Sequence, residues 1–76
     1  MVELVRYIVE ELVEEKESVQ ITSELQNNVE VITIKVAEKD VGRVIGRQGR
    51  VATAIRAISK AVGIKEGKHY SIEIAD

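Results

Sequence analysis

The sequence contains no cysteine, no phenylalanine and no tryptophan, and only two tyrosines. Without cysteine, neither a disulfide framework nor a thiolate metal site can form, and a reducing compartment fits. The scarcity of aromatic side chains leaves no aromatic cluster on which nucleic-acid bases could stack. Apolar runs last only two or three residues, which excludes a transmembrane span and a signal peptide. We therefore expect a cytoplasmic protein.

The length and the composition predict one small domain over residues 1–76. Hydrophobic residues make up 45% of the chain and charged residues 32%, which indicates a folding sequence and not a disordered tail. A chain of this size buries only about 60% of its unfolded surface, so a monomer is expected to be marginally stable.

The net charge of −2 conceals a polarised chain. Residues 1–34 carry eight acids and two bases, whereas residues 35–76 carry nine bases and five acids. Within the second part, the stretch 41–65 contains six bases and no acid. A basic stretch in an acidic protein favours a local site for a polyanion. A solvated helix face that happens to be basic is the simpler explanation of this charge run taken alone.

The first half of the chain changes from a helical to a strand periodicity. Apolar residues at helical spacing, with glutamates opposite them, predict an amphipathic helix over residues 2–16. Alternation over residues 19–25 predicts a half-buried strand, and the β-branched run 29–36 predicts a second one. Residues 26–28 have turn chemistry, because asparagine tolerates positive φ. We expect the two strands to form a hairpin.

The second half returns to helical spacing and ends in a strand. A short helix of about two turns is predicted over residues 41–45. A longer helix follows and runs to about Val62, where Gly63 and Ile64 predict a glycine-terminated end with a hydrophobic latch. Alternation over residues 70–75 predicts the last strand.

These elements predict an α+β fold in the order α-β-β-α-α-β, with a three-stranded sheet and helices packed on one face. The last strand follows a helical crossover, so it could pair parallel to one strand of the hairpin. The sequence leaves this pairing open.

Two glycines, Gly46 and Gly49, lie at the junction between the two predicted helices. Glycine adopts backbone angles closed to other residues and lets another backbone approach without a Cβ in the way. The free N–H groups at the start of the following helix, and its positive dipole end, face the same place. Arg47 lies in the turn, and Arg43 and Arg50 flank it. We predict a positive, glycine-walled notch that accepts phosphate groups.

The stretch 42–50, GRVIGRQGR, resembles the K homology (KH) signature, in which Ile-Gly-x-x-Gly joins two helices. The preceding helix and strand match the type II arrangement of this fold. The resemblance covers the whole chain and extends to the small bacterial KH proteins of the KhpA family. The pair Arg47-Gln48 departs mildly from the Lys-containing pair often seen in that family, but it keeps the positive charge.

The resemblance implies that the loop 46–49 clamps the backbone of about four nucleotides of single-stranded RNA. The nucleic-acid-binding residues so predicted are Arg43, Val44, Ile45, Gly46, Arg47, Gln48, Gly49 and Arg50. One wall of the groove would consist of Arg50, Thr53 and Ala54, and the other would come from the second strand, with candidate base contacts at Ile32, Ile34 and Val36. Because these contacts are aliphatic, we expect weak affinity and loose sequence preference.

The resemblance also implies an RNA-chaperone-like regulator, connected with cell length and cell-wall homeostasis, that acts as a homodimer or with a second, larger KH protein. The alternative is an assembly module that uses the KH fold for protein interaction and binds little RNA itself. The aliphatic, alanine-rich helix 50–62 makes such pairing plausible.

Other chemistries do not fit. The spacing of Gly42, Gly46 and Gly49 differs from the dinucleotide fingerprint, and no Gly-Lys-Ser/Thr sequence follows, so a P-loop is excluded. His69 is the only histidine and has no nucleophile partner, so we expect no enzyme, no cofactor, no metal and no small-molecule substrate. Gly42 inside a short helix costs about 1 kcal/mol relative to alanine. Close helix packing and proximity to the RNA backbone both explain it.

Overall fold

The computed structural model describes residues 1–75. A turn at two consecutive asparagines joins the first two strands of its sheet. Asn27 (φ 51°) and Asn28 (φ 69°) both adopt positive φ, as the central residues of a type I′ hairpin turn require. They join β1 (Gln20–Gln26) to β2 (Val29–Lys35), and the two strands pair antiparallel along their whole length. The predicted hairpin is therefore confirmed.

A helical crossover returns the chain to the sheet. After α2 (Val41–Ile45) and α3 (Arg50–Glu66), the chain enters β3 (His69–Ile74), which pairs parallel with β2. The strand order is β1-β2-β3. Parallel neighbours need a crossover of this kind, because the chain must travel back along the sheet before it pairs again. The structure thus settles the pairing that the sequence left open.

The core lies between the helices and one face of the sheet. Val5 and Val9 of α1 (Val2–Leu12) are completely buried, as are Ile32 and Ile34 of the central strand. The other buried apolar side chains are Val13, Val19, Ile21, Val36, Val44, Ala52, Ile55 and Ile72. The α+β fold with the element order of a type II KH domain is confirmed. Within residues 1–75, no helix has the length and apolar character that crossing a membrane requires.

The first helix ends at Leu12, so its predicted end at residue 16 is wrong. The backbone N–H groups of Glu14 and Glu15 donate to the two carboxylate oxygens of Asp40, at 3.1 and 3.0 Å. The chain turns away from the helix axis so that these groups meet a carboxylate about 25 residues further along. The end of the helix is therefore set by a long-range contact, which helical periodicity does not reveal.

The third helix runs to Glu66, so its predicted end at Val62 is also wrong. Gly67, with φ 70°, is the left-handed residue that ends it. Gly63 lies inside the helix and is buried because the returning chain passes over it: an added Cβ would lie 2.6 Å from the Lys68 carbonyl oxygen. Ile64 is 74% exposed and makes no latch.

Alanine at Gly63 and alanine at Gly42 are expected to change stability in opposite directions. At Gly63 the methyl group must displace the backbone of Lys68, and such overpacking costs about 1–3 kcal/mol. At Gly42 nothing lies within 4 Å of an added Cβ, so the better helix former should raise the unfolding free energy by up to about 1 kcal/mol. Urea unfolding of both variants measures the difference. Equal stability of the two would contradict the close approach at Gly63.

Candidate nucleic-acid interface

The backbone of the loop 46–49 depends on glycine most strongly at its first position. Gly46 has φ 79° and ψ 168°, a region that is essentially restricted to glycine. An added Cβ there would also overlap Cγ2 of Val51 and would lie 2.8 Å from the Val51 backbone nitrogen. Backbone conformation and packing therefore both require glycine at position 46.

The rest of the loop is a left-handed turn that leaves its surface open. Gln48 (φ 57°) and Gly49 (φ 74°) are both left-handed, and the Gly49 N–H donates to the Gly46 carbonyl at 3.0 Å. An added Cβ at Gly49 would meet no atom within 4 Å. Arg47 and Gln48 are exposed. A ligand can thus approach the backbone of this turn closely, as a clamp on a sugar-phosphate chain requires.

The third helix begins directly after this turn without a side-chain cap. Gly49 occupies the N-cap position of α3, and in the part of the chain described no side chain accepts from the first N–H groups. The Arg50 N–H donates to the Arg47 carbonyl, while the next N–H groups and the positive end of the 17-residue helix face the loop. Oε1 of Gln48 instead accepts from Nη2 of Arg50 at 3.1 Å, which holds the Arg50 guanidinium beside the turn.

The three predicted arginines do not converge. Arg47 and Arg50 lie at the loop and are exposed. Arg43 turns toward the end of α1, where its guanidinium lies 3.3 Å from Oε1 of Glu14 and 3.4 Å from Oδ1 of Asp40. The positive charge at the loop therefore comes mainly from the two arginines at positions 47 and 50.

Burial divides the apolar residues predicted to line the groove. Val44 is completely buried, so it supports the loop from the core and offers no surface to a ligand. Ile32 and Ile34 are also completely buried and Val36 is buried, so the predicted base contacts of these three residues are wrong; α1 and α3 cover that face of the sheet. Ile45 remains half-buried next to Gly46. It alone among these five residues presents apolar surface beside the loop.

A buried carboxylate fixes the short helix that carries the loop. Asp40 is completely buried, and its pKa lies below the usual value mainly because it accepts the Glu15 backbone N–H. Burial opposes this shift, while the N–H of Glu14 and the charges of Lys39 and Arg43 add to it. The five residues of α2 are too few to be stable alone. Their position therefore depends on this anchor to the end of α1.

Acid should weaken this anchor. A carboxyl group whose pKa falls on folding stabilises the fold above its unfolded pKa of about 4, and the contribution is lost as the pH drops through the folded value. We expect Asp40→Asn to melt at a lower temperature than the natural protein at pH 7, on the order of 10 °C lower. The gap should narrow below about pH 4. Thermal melting between pH 7 and pH 2.5 measures it, and a constant gap would contradict the anchor.

A basic cleft along the edge strand was not predicted from the sequence. It has a volume of about 370 Å³ and is lined by Arg56, Lys60, His69, Tyr70, Ser71 and Ile72. A second cavity of about 390 Å³ continues it past Lys60 to Lys68. Arg56 and Lys60 are four residues apart in the acid-free stretch, which places them on one helix flank. That spacing was the available sequence evidence; the cleft itself requires β3 beside the helix.

Two hydrogen bonds at the cleft engage Arg56 and the nearby carboxylate of Glu66. Nε of Arg56 donates to the Ile72 carbonyl of β3 at 3.4 Å. The Tyr70 hydroxyl donates to Oε1 of Glu66 at 2.7 Å, and this bond, with burial, raises the pKa of Tyr70 to about 12. The carboxylate of Glu66 thus accepts a hydrogen bond from the neutral phenol of Tyr70. Among residues 1–75, no group of three or more potential ligands could hold a metal ion.

Comparisons with known proteins find relatives along nearly the whole chain. Residues 2–74 match the family described as "KhpA/KhpB, KH domain". An RNA-binding protein KhpA from Clostridium perfringens is 43% identical over 97% of this chain and 99% of its own length. The protein of the same name from Listeria monocytogenes is 43% identical over the full length of both chains. That from Borreliella burgdorferi is 33% identical over 99% of this chain and 92% of its own length.

No solved structure matches the chain significantly. The family match nevertheless covers every residue of the three strands and the helices, including the loop 46–49. It is a family of KH domains and not of enzymes. The chain belongs to the KhpA/KhpB family of KH-domain proteins.

Proposed function

We propose that this protein binds single-stranded RNA and grips its backbone with the loop 46–49. The observation that carries the proposal is the open left-handed turn at the uncapped start of α3, with Arg47 exposed at its tip. Relatives of nearly the same length are named RNA-binding proteins. Because its ligand would be RNA, we expect the protein to act in the cytoplasm.

The chemistry of the loop suits phosphate better than bases. Backbone N–H groups at a helix start, together with arginine guanidinium groups, donate to phosphate oxygens. Gly42 would allow the RNA backbone to approach closely. The space beside its Cα is empty, so close helix packing does not explain a glycine at this position. Selectivity for bases would come from the half-buried Ile45 and from the cleft at Arg56 and Lys60. Arg43, Gln48 and Arg50 remain candidates, whereas the buried Val44 supports the loop from the core.

The salt dependence of binding tests this proposal. If RNA engages three or four phosphates, log K for a short single-stranded RNA should fall with log salt at a slope of roughly −2 to −3. Fluorescence anisotropy at salt concentrations from about 50 to about 300 mM potassium chloride gives the slope, because counterion release dominates the salt dependence there. A flat response would contradict phosphate gripping and would favour the alternative, an assembly module with little RNA binding.

We propose further that the protein works as a dimer or with a second KH protein. Ile58 of α3 is 42% exposed, and Ala54, Ala57 and Ala61 on the same helix are exposed. Small and aliphatic side chains allow close pairing of such a helix face. Sedimentation at two concentrations tests self-association, and a strict monomer at high concentration would count against it. A regulatory function in cell length and cell-wall homeostasis rests on the family resemblance alone.

A further inference from the structure

Five charged side chains meet where the end of α1 approaches the start of α2. The acids are Glu14, Glu15 and Asp40, and the bases are Lys39 and Arg43. Nζ of Lys39 lies 3.0 Å from Oε1 of Glu15. Nη2 of Arg43 lies 3.3 Å from Oε1 of Glu14, and its Nε lies 3.4 Å from Oδ1 of Asp40. The acids of the cluster therefore pair with the guanidinium of Arg43, which lies only three residues before Gly46.

The two acids that hold Arg43 differ in how firmly they are fixed. Asp40 is completely buried and bound to two backbone N–H groups, so it cannot leave. The side chain of Glu14 is 60% exposed, and that of Arg43 is 53% exposed. The backbone of Glu14, however, is itself bound to Asp40. The carboxylate at position 14 is thus held beside Arg43 while the contact between them stays open to water and exchangeable.

A carboxylate and an RNA phosphate compete for the same guanidinium. Both accept from arginine in a planar, two-oxygen geometry. While Glu14 holds Arg43, the guanidinium lies at the end of α1 and its Nη2 is occupied by Oε1 of Glu14. Without Glu14, the Nε contact with Oδ1 of Asp40 remains, but Nη2 becomes available within about one helical turn of the loop. It could then contact a phosphate there.

We propose that Glu14 acts as an intramolecular competitor of RNA for Arg43 and so sets the affinity of the loop. This inference rests on the proposed function. Glu14 is here a positioning residue that acts through Arg43. The net effect is a binding site weaker than its three arginines would provide, and the identity of residue 14 tunes it.

A double-mutant cycle tests the inference. Glu14→Gln should tighten binding of a short single-stranded RNA about two- to fivefold, the range spanned by exposed ion pairs. It should also make the slope of log K against log salt steeper by about 0.7, because one more phosphate is engaged. In an Arg43→Gln background, Glu14→Gln should produce neither change. Lys39 keeps its partner Glu15 in all four proteins.

Glu11→Gln is the matched control, since Glu11 is exposed on the same helix, loses the same charge and contacts no base in residues 1–75. An equal gain in this variant would overturn the inference, because general electrostatics would then explain it. If the natural protein binds RNA but Glu14→Gln changes the affinity equally with and without Arg43, the inference is overturned and the proposed function stands. Absence of RNA binding in the natural protein and all variants would overturn the proposed function and the inference together. Thermal melting of each variant verifies that the fold is intact.

Discussion

Replacing Arg47 and Gln48 together by aspartate should weaken binding of short single-stranded RNA by about 100-fold or more. The substitution removes the exposed guanidinium at the tip of the loop and places two carboxylates where phosphates would lie. Fluorescence anisotropy at low salt measures the loss. The fold should survive, because aspartate tolerates the left-handed conformation of residue 48 better than most residues.

The control for this experiment has the same change of charge away from the loop. Lys16 and Gln20 are both exposed, at the turn after α1 and at the start of β1. Aspartate at these two positions should change RNA affinity by only a few-fold, through the weaker long-range field. If the loop variant remains folded and binds RNA as tightly as the natural protein, the loop is not the RNA-binding site. Equal losses in both variants would indicate non-specific attraction.

Alanine at Gly46 should be the most destabilising small substitution in the loop. The fold requires a backbone conformation at position 46 that costs alanine of order 1–3 kcal/mol, and the added methyl group also overlaps the Val51 side chain. Together these effects approach about 3 kcal/mol or more, a large fraction of the stability of a domain this small. We expect the melting temperature to fall on the order of 15 °C.

Gly49→Ala separates the two causes. Gly49 is also left-handed, with φ 74°, but an added Cβ would meet no atom within 4 Å. Its cost should therefore be the conformational one alone, about 1–2 kcal/mol. Melting of both variants side by side gives the comparison. A Gly49→Ala variant as unstable as Gly46→Ala would show that the contact with Val51 is unimportant.

Local sequence patterns predicted the elements and the loop because both are properties of consecutive residues. The β-branched run in residues 29–36 and the helical spacing in residues 51–62 correspond to β2 and α3. Two asparagines were sufficient to predict the hairpin turn, and two glycines to predict the break between the last two helices. Each of these features depends on backbone conformations that the residues themselves prefer.

Element ends and side-chain surroundings were less predictable. Glycine often ends helices, so the sequence predicts a helix end at Gly63, whereas the structure buries this residue beneath the carbonyl oxygen of Lys68. Ile34 was a candidate base contact because its strand was expected beside the groove, and it proved to be core. In both cases the residue type fits two environments, and only the packing of distant elements distinguishes them.

The sequence by itself determined the element order, the position of the glycine loop and the basic character of the segment around it. Tertiary structure decided the parallel pairing of β3, the end of α1 and the partners of the arginines. Asp40 lies 25 and 26 residues from the N–H groups that it binds, and Arg43 lies 29 residues from Glu14. Contacts over such separations form only when the fold brings the segments together, so local periodicity carries no record of them.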